Sequence, residues 1–247
     1  MVLKFNTFLS RCPDAVITNS HAGRAHHMTL GYNPRRWVYI PNGFDSSFFE
    51  PSVNARLAVR TALKIKQDGL VVGMVARNDP MKDYNTLLHA MYEVMLAKPR
   101  VHLIVAGSYT QLLESALPIS LKNRIHCLGD RSDIPDILAS LDLFVLSSAF
   151  GEGFPNVLGE AMLTEIPCIA TDVGDCNVLL DPEFLVPASD TYALQEKIKY
   201  MLNQSLEERH VIGANSRQKI LSRYSLKTCR TKYTQLYESL LPKKATS

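Results

Sequence analysis

The stretch AFGEGFPNVLGEAM, residues 149–162, holds the most informative spacing of glycines and acidic residues in the chain. Gly151 and Gly153 provide a flexible turn, and Pro155 suits the first position of a helix. The unpaired backbone N–H groups of residues 154–157 would then point out of the turn. Such a group of amides at a helix start favours an anion, in particular a phosphate.

Two glutamates flank this predicted anion site. Glu152 lies in the turn before the helix and Glu160 lies within the helix, so the carboxylates are separated along the site. Each could accept hydrogen bonds from a different pair of vicinal hydroxyls, as the acidic residue of a dinucleotide fold does on ribose. Spacing alone fits an ordinary turn followed by a solvated glutamate equally well.

Two cations follow an earlier apolar run, in ARNDPMKDYN. Arg77 and Lys82 would face the start of the helix if both segments lie at the same edge of a sheet. A pyrophosphate between them would gain charge-assisted hydrogen bonds of about 1.5–3 kcal/mol each. Either cation alone is typical of a solvated surface, but their joint position favours a phosphate site.

Other polar loops give weaker signals. Gly107, which precedes Ser108, either lines a pocket or merely turns the chain. Gly129, Asp130 and Arg131 either hold a base edge through backbone groups or form an ordinary loop.

Several motifs are missing from the sequence. No G-x-G-x-x-G follows the first long apolar run and no G-x-x-x-x-G-K-[ST] occurs, which argues against a nicotinamide dehydrogenase and a P-loop kinase. No acid-rich D-x-D motif ends a predicted strand, so we expect neither a metal nor a cofactor.

Short apolar runs alternate with amphipathic stretches. The runs at 70–76, 101–107, 124–129, 142–147, 167–171 and 183–186 are predicted strands, and the stretches at 84–97, 134–141, 156–163, 192–203, 206–222 and 226–241 are predicted helices. The stripe Leu87, Leu88, Met91, Met95 and Leu96 is predicted core. This alternation predicts a doubly wound parallel α/β sheet, whose ligands bind outside the carboxyl ends of the strands.

Composition narrows the function classes further. The 247 residues carry 27 basic and 24 acidic side chains, a net charge of +3, which argues against a nucleic-acid surface. The five cysteines show no C-x-x-C spacing and indicate a reduced compartment. We expect a cytoplasmic chain, either free or peripheral at the inner membrane surface.

Taken together, the motifs resemble the retaining GT-B glycosyltransferases of family 4. The similarity runs from PDAVITNS through VYIPNGFD, VARNDPMKDY, LGDRSDIPDILASLDLFVLSS, EGFPNVLGEAM and IPCIATDVGD. It implies that Glu152 binds hydroxyls of the donor sugar, that Glu160 binds the ribose, and that Arg77 and Lys82 neutralise the donor diphosphate. It also implies that backbone amides surround the sugar and phosphate at Phe154, Pro155, Asn156 and Val157, although Pro155 has no N–H.

The chain also departs from the family pattern. Asp83 and Asp175 stand where the family usually has glycine, and both add negative charge near the expected donor site. Residues 1–48 resemble only the end of the family's acceptor domain, residues 49–68 an interdomain linker, residues 69–225 the donor domain, and residues 226–247 a terminal helix and tail. Because the remnant would expose apolar residues, we expect self-association or a partner chain.

The resemblance implies transfer of a hexose from a nucleoside diphosphate sugar, a UDP-sugar rather than a GDP-sugar, to a glycan or lipid-linked acceptor with retention. Two alternatives remain: a non-catalytic nucleotide-sugar-binding subunit or fragment, and a nucleotide-sugar epimerase of the same architecture.

Overall fold

The computed structural model describes residues 2–241. Its strands are β1 (Val16–Thr18), β2 (Trp37–Tyr39), β3 (Leu70–Val75), β4 (Val101–Ala106), β5 (Ile125–Cys127), β6 (Leu143–Leu146), β7 (Cys168–Thr171) and β8 (Leu185–Val186). Its helices are α1 (Val2–Leu9), α2 (His21–Thr29), α3 (Val53–Ala62), α4 (Tyr84–Ala97), α5 (Ile134–Ala139), α6 (Asn156–Leu163), α7 (Cys176–Leu179), α8 (Thr191–Asn203), α9 (Leu206–Arg223) and α10 (Leu226–Leu240).

Strands β3 to β8 form one parallel sheet in the order β5-β4-β3-β6-β7-β8. The chain starts at β3, moves outward to β5, and then crosses back to β6 on the other side of β3. This confirms the predicted doubly wound α/β sheet, and its topological switch point lies between β3 and β6. The β3 loop (residues 76–83) and the β6 loop (residues 147–155) leave the sheet at that point.

The core lies on both faces of this sheet, whose central strands are almost entirely buried. Leu87, Met91 and Met95 of α4 are fully buried against it, as predicted. Leu96 was wrongly placed in the same stripe and is 52% exposed. It follows Leu87 by nine residues, which is about 180° around a helix with 3.6 residues per turn.

A buried ion-pair cluster lies at the amino ends of β3 and β6, the strands on either side of the switch point. Asp142 accepts hydrogen bonds from Arg60 and Arg56, both 2.6 Å long, and from the backbone amide of Val71, also 2.6 Å. Because Val71 belongs to β3 and Asp142 directly precedes β6, this carboxylate ties the two strands together at their amino ends. Arg56 and Arg60 lie on α3, so the segment predicted as a linker contains a helix packed on the sheet domain.

The N-terminal segment (residues 13–48) carries a separate two-stranded parallel sheet, β1 with β2. Its apolar residues are less exposed than the sequence led us to expect, since Ile40 is buried and both strands are half-buried. The sequence did not predict α1, which exposes the apolar side chains of Phe5, Phe8 and Leu9.

The N-terminal segment is held by the last helix of the chain. The Phe44 amide donates to the carbonyl of Tyr224 (2.8 Å), and the Leu226 amide donates back to Phe44 (3.1 Å). The Phe44 ring also fills the space beside Gly159 of α6, where a Cβ would lie 2.2 Å from it. Helix α10 is therefore attached to the N-terminal segment and, through Phe44, to α6 of the sheet domain.

Candidate functional site

The β3 and β6 loops contact each other at the carboxyl ends of their strands. The Ala149 amide donates to the carbonyl of Met81 (2.8 Å), and the Ser147 hydroxyl donates to the carbonyl of Lys82 (2.9 Å). The two loops that the sequence singled out thus form one crevice at the switch point, where open α/β sheets bind their ligands.

Lys82 and Glu152 meet inside this crevice. The Lys82 Nζ atom lies 2.5 Å from Glu152 Oε1, and the Ser148 hydroxyl donates to the same oxygen at 2.5 Å. The side chains of Lys82 and Glu152 are only 13% and 8% exposed, so solvent screens their attraction weakly. Glu152 Oε2 accepts no hydrogen bond from residues 2–241, which leaves that oxygen available to a ligand hydroxyl.

Helix α6 begins where the β6 loop ends. Pro155 is the N-cap of this helix and not its first helical residue, as the proline alone suggested. Asn156 is the first helical residue, in agreement with the predicted range 156–163. The backbone amides of Phe154, Asn156 and Val157 donate to no group in the described part of the chain. Three N–H donors at the positive end of a helix are therefore left for an anion.

The Phe154 side chain points away from the crevice and anchors this turn. Its ring is buried, with its centroid 5.9 Å from the Phe44 ring and 5.5 Å from the Tyr224 ring. Packing of Phe154 against the N-terminal segment fixes the backbone that presents the free amides.

Glu160 lies one turn further along α6 and is half-buried. It forms no hydrogen bond or ion pair with any described residue, and burial raises the pKa of its carboxyl group. A partly desolvated carboxylate without a partner costs stability, and such positions are typical of binding sites.

Arg77 sits at the mouth of the crevice and does not join Lys82. Its side chain is 63% exposed and bonds to Asp79, which also caps the turn at Pro80–Lys82. The hydrogen bond to Asp79 raises the pKa of Arg77, so the guanidinium is charged at any physiological pH. The bond to Asp79 uses Nε, so neither terminal NH2 group of Arg77 donates to a residue in the range 2–241.

The remaining predicted site residues fall into two groups. Gly107 lies at the crevice wall with φ 129°, and a Cβ there would lie 2.4 Å from the carbonyl oxygen of Ala76, so only glycine fits. Its amide donates to the carbonyl of Gly129 (2.7 Å), which places both glycines beside the β3 loop. Asp130 instead accepts from the Ser108 hydroxyl, and Arg131 is paired with Asp133 on the surface.

The two aspartates that depart from the family pattern both have structural partners. Asp83 adopts the left-handed conformation (φ 49°, ψ 54°), which explains why glycine is usual there, and its carboxylate caps α4 through Thr86. Asp175 accepts hydrogen bonds from the backbone amides of His21 (2.7 Å) and Ala22 (2.8 Å) at the start of α2. Neither carboxylate points to the crevice as an unpaired charge.

Sequence reasoning missed two polar residues at the crevice. Ser148 positions Glu152, and the side chain of Asn42 donates to Asn156 Oδ1 (2.6 Å). Ser148 directly follows a predicted strand that ends in the crevice, which was a usable signal. Asn42 lies more than one hundred residues earlier, and only the docking of the N-terminal segment brings it to α6.

The model of the family Glycosyl transferases group 1 matches residues 69–204, which is more than half of the chain. The chain belongs to this family. The matched range contains the sheet, the β3 and β6 loops and α6, so every residue of the crevice described above except Asn42 lies within the glycosyl transferase domain.

Curated relatives of this glycosyl transferase domain act on several sugars. The chain is 28% identical over 226 residues to an Escherichia coli UDP-Gal:alpha-D-GlcNAc-diphosphoundecaprenol alpha-1,3-galactosyltransferase, covering 87% of this chain and 57% of that protein. It is 32% identical over 184 residues to the lipopolysaccharide core biosynthesis mannosyltransferase LpsB of Rhizobium meliloti, covering 71% and 50% of the two chains. The chain therefore spans little more than half the length of these relatives.

Solved structures extend the similarity to the fold. The Anabaena protein Alr3699/HepE in complex with UDP superposes with a TM-score of 0.88 at 26% identity, over 96% of this chain and 67% of that one. The same protein in complex with UDP-glucose gives a TM-score of 0.87. These neighbours confirm the glycosyltransferase α/β fold predicted from the sequence.

None of the helices in the described ranges is sufficiently long and apolar to span a bilayer. Among residues 2–241, no cluster of three or more histidine, cysteine, aspartate or glutamate side chains is arranged to hold a metal ion.

Proposed function

We propose that this chain supplies the donor site of a retaining family 4 glycosyltransferase. The reaction is transfer of a hexose from a nucleoside diphosphate sugar to a glycan or lipid-linked acceptor. The observation that carries the proposal is the convergence of Lys82, Glu152 and the start of α6 at the switch point of the sheet. A diphosphate needs cations and amide donors, a sugar needs carboxylate acceptors, and this crevice offers both.

The charges suit departure of a nucleoside diphosphate. As the anomeric bond breaks, negative charge grows on the diphosphate, and Lys82, Arg77 and the amides near Asn156 stabilise it. Glu152 accepts hydrogen bonds from the sugar hydroxyls through Oε2, and Glu160 accepts them from the ribose. Gly107 and Gly129 form the wall beside the base.

We favour a UDP-sugar over a GDP-sugar as donor. Solved neighbours include complexes with UDP and UDP-glucose, and a curated relative that is 28% identical over 226 residues uses UDP-Gal by its name. Another relative is named as GDP-mannose-dependent, so both nucleotides belong in the test.

We propose that residues 1–48 represent the end of the acceptor-side domain. The apolar side chains of Phe5 and Phe8 on α1 are 61% and 67% exposed and would pack on the rest of such a domain, on a partner chain or on a second copy. Because one relative acts by its name on an acceptor attached to diphosphoundecaprenol, we place the protein in the cytoplasm or at the inner membrane surface.

Titration calorimetry with UDP, GDP, UDP-glucose, UDP-galactose and GDP-mannose tests the proposal. Arg77→Ala and Lys82→Ala should each weaken the binding of the preferred nucleotide by about tenfold, from the loss of a charged hydrogen-bond donor. The control is Arg100→Ala, which removes an arginine that is also exposed and paired with an aspartate, Asp68, but lies before β4 at the opposite edge of the sheet. Equal affinities for all variants would contradict the phosphate assignment.

Product analysis separates the alternatives left open by the sequence. A nucleotide sugar recovered with inverted stereochemistry at a ring carbon would indicate an epimerase. Donor binding without turnover in the presence of an acceptor would indicate a nucleotide-sugar-binding subunit.

A further inference from the structure

Asp175 joins three elements at the edge of the crevice. Its backbone amide donates to the carbonyl of Gly153 in the β6 loop (2.9 Å), while its carboxylate accepts from the amides of His21 and Ala22 of α2. The residue is 2% exposed. A buried carboxylate on the first amides of a helix forms charge-assisted hydrogen bonds aligned with the helix dipole, so this contact is stronger than one between neutral groups.

The surrounding backbone leaves little room for movement. A Cβ on Gly174 would lie 2.1 Å from the carbonyl oxygen of Glu152, and a Cβ on Gly153 would lie 3.2 Å from the Ser20 hydroxyl oxygen. The backbone of Glu152 and Gly153 is therefore enclosed between the loop that carries Asp175 and the first turn of α2.

We propose that Asp175 is a positioning residue that fixes the sugar-facing part of the β6 loop by holding α2 against it. The phosphate contacts come mainly from Lys82 and the amides of Asn156 and Val157, whereas Asp175 bonds to the carbonyl of Gly153, directly after Glu152. Its loss should therefore reduce the gain in affinity that the sugar provides and leave the affinity for the nucleotide nearly unchanged. This inference rests on the proposed function, because it assigns the sugar to Glu152.

Two variants approach the contact from opposite sides. Asp175→Asn removes the charge and one acceptor oxygen. His21→Pro removes one donor, and proline is tolerated because His21 is the first residue of α2 and Ser20 before it is extended. The first matched control is Asp172→Asn, at an exposed aspartate of the same loop that bonds to Asn177 and to the backbone of β8. The second is His21→Ala, which keeps the backbone amide.

The first measurement is amide hydrogen exchange at His21 and Ala22 in the free 247-residue chain. The second is the sugar increment, defined as the Kd of the nucleoside diphosphate divided by the Kd of its nucleotide sugar. It uses whichever of UDP-glucose, UDP-galactose and GDP-mannose the wild type binds most tightly. We expect faster exchange at the amides that remain in both variants, and an increment reduced by about fivefold or more, with nucleotide affinity within about twofold of wild type.

The outcomes separate this inference from the proposed function. A wild-type increment that persists in Asp175→Asn and His21→Pro would overturn the positioning role, as would an equal loss of nucleotide and nucleotide-sugar affinity. Wild-type protein that binds none of the probes would contradict the proposed function and the positioning role with it. Unchanged amide exchange in Asp175→Asn would show that the carboxylate does not hold α2.

Discussion

Replacing Glu152 by glutamine should strengthen the binding of UDP alone while weakening the contribution of the sugar. In the free chain Glu152 neutralises Lys82 at 2.5 Å, and an incoming diphosphate competes for the same ammonium group. Glu152→Gln keeps the shape of the side chain and its bond from Ser148, but it removes the competing charge. An isolated diphosphate then meets Lys82 without repulsion from the neighbouring carboxylate.

The size of the effect follows from the geometry. A carboxylate that already contacts Lys82 must lie about 6–8 Å from a phosphate bound on the other side, which at an effective dielectric constant of about 20 opposes each negative charge by about 2–3 kcal/mol. Water and counterions in the open crevice reduce this to about 1–1.5 kcal/mol, and so UDP should bind roughly five- to tenfold more tightly.

Calorimetry of wild type and Glu152→Gln with UDP measures the affinity for the nucleotide. The same titration with the preferred nucleotide sugar gives the contribution of the sugar. The variant should bind UDP more tightly and the nucleotide sugar equally or less tightly, so that the two affinities converge. Weaker UDP binding by Glu152→Gln, with an unchanged unfolding midpoint, would refute the idea that this carboxylate competes with the diphosphate for Lys82.

The remaining predictions concern other parts of the molecule. Glu160→Gln should weaken the binding of UDP and of nucleotide sugar alike by about tenfold, as measured by calorimetry. It should also raise the free energy of unfolding of the free chain by about 1 kcal/mol in urea, because it removes a desolvated charge that has no partner among the described residues. Unchanged affinity or lower stability would contradict this prediction. UDP affinity should stay within about twofold when EDTA replaces Mg²⁺, because Lys82 and the α6 amides supply the neutralisation; a strict requirement for the metal, restored by its re-addition, would contradict this. His126 on β5 is half-buried beside His102, and burial lowers its pKa to about 4, so the unfolded chain binds more protons than the folded chain between that pH and about 6.5. Stability should therefore fall by about 1–2 kcal/mol from pH 7 to pH 5, and His126→Gln, followed by urea unfolding at both pH values, should lose most of that fall.

The sheet and the position of the crevice could be predicted because they depend on local patterns. Strands such as β3 and β6 are apolar along their length, and the loops after them carry charged residues where an α/β sheet binds ligands. The glycines and proline before α6 likewise mark the helix start within one residue.

The pairings inside the crevice could not be predicted in this way. The sequence indicates that Lys82 and Glu152 share a site, but it does not show that they neutralise each other, since that depends on the approach of two loops 70 residues apart. Asp175 was interpreted as added negative charge because its partners are backbone amides 154 and 153 residues away, and backbone amides leave no mark in a sequence pattern.

The attachment of α10 to the N-terminal segment also constrains the order in which the protein can assemble. The Cys229 thiol contacts the carbonyl of Pro41, a residue 188 positions earlier in the chain. At about 5–20 residues per second, a ribosome needs roughly 10–40 seconds to make the intervening stretch. During that interval Phe44 lacks its Tyr224 partner, so the N-terminal segment completes its native contacts only after the end of the sheet domain has been made. Chaperone binding during synthesis should accordingly concentrate on the N-terminal segment.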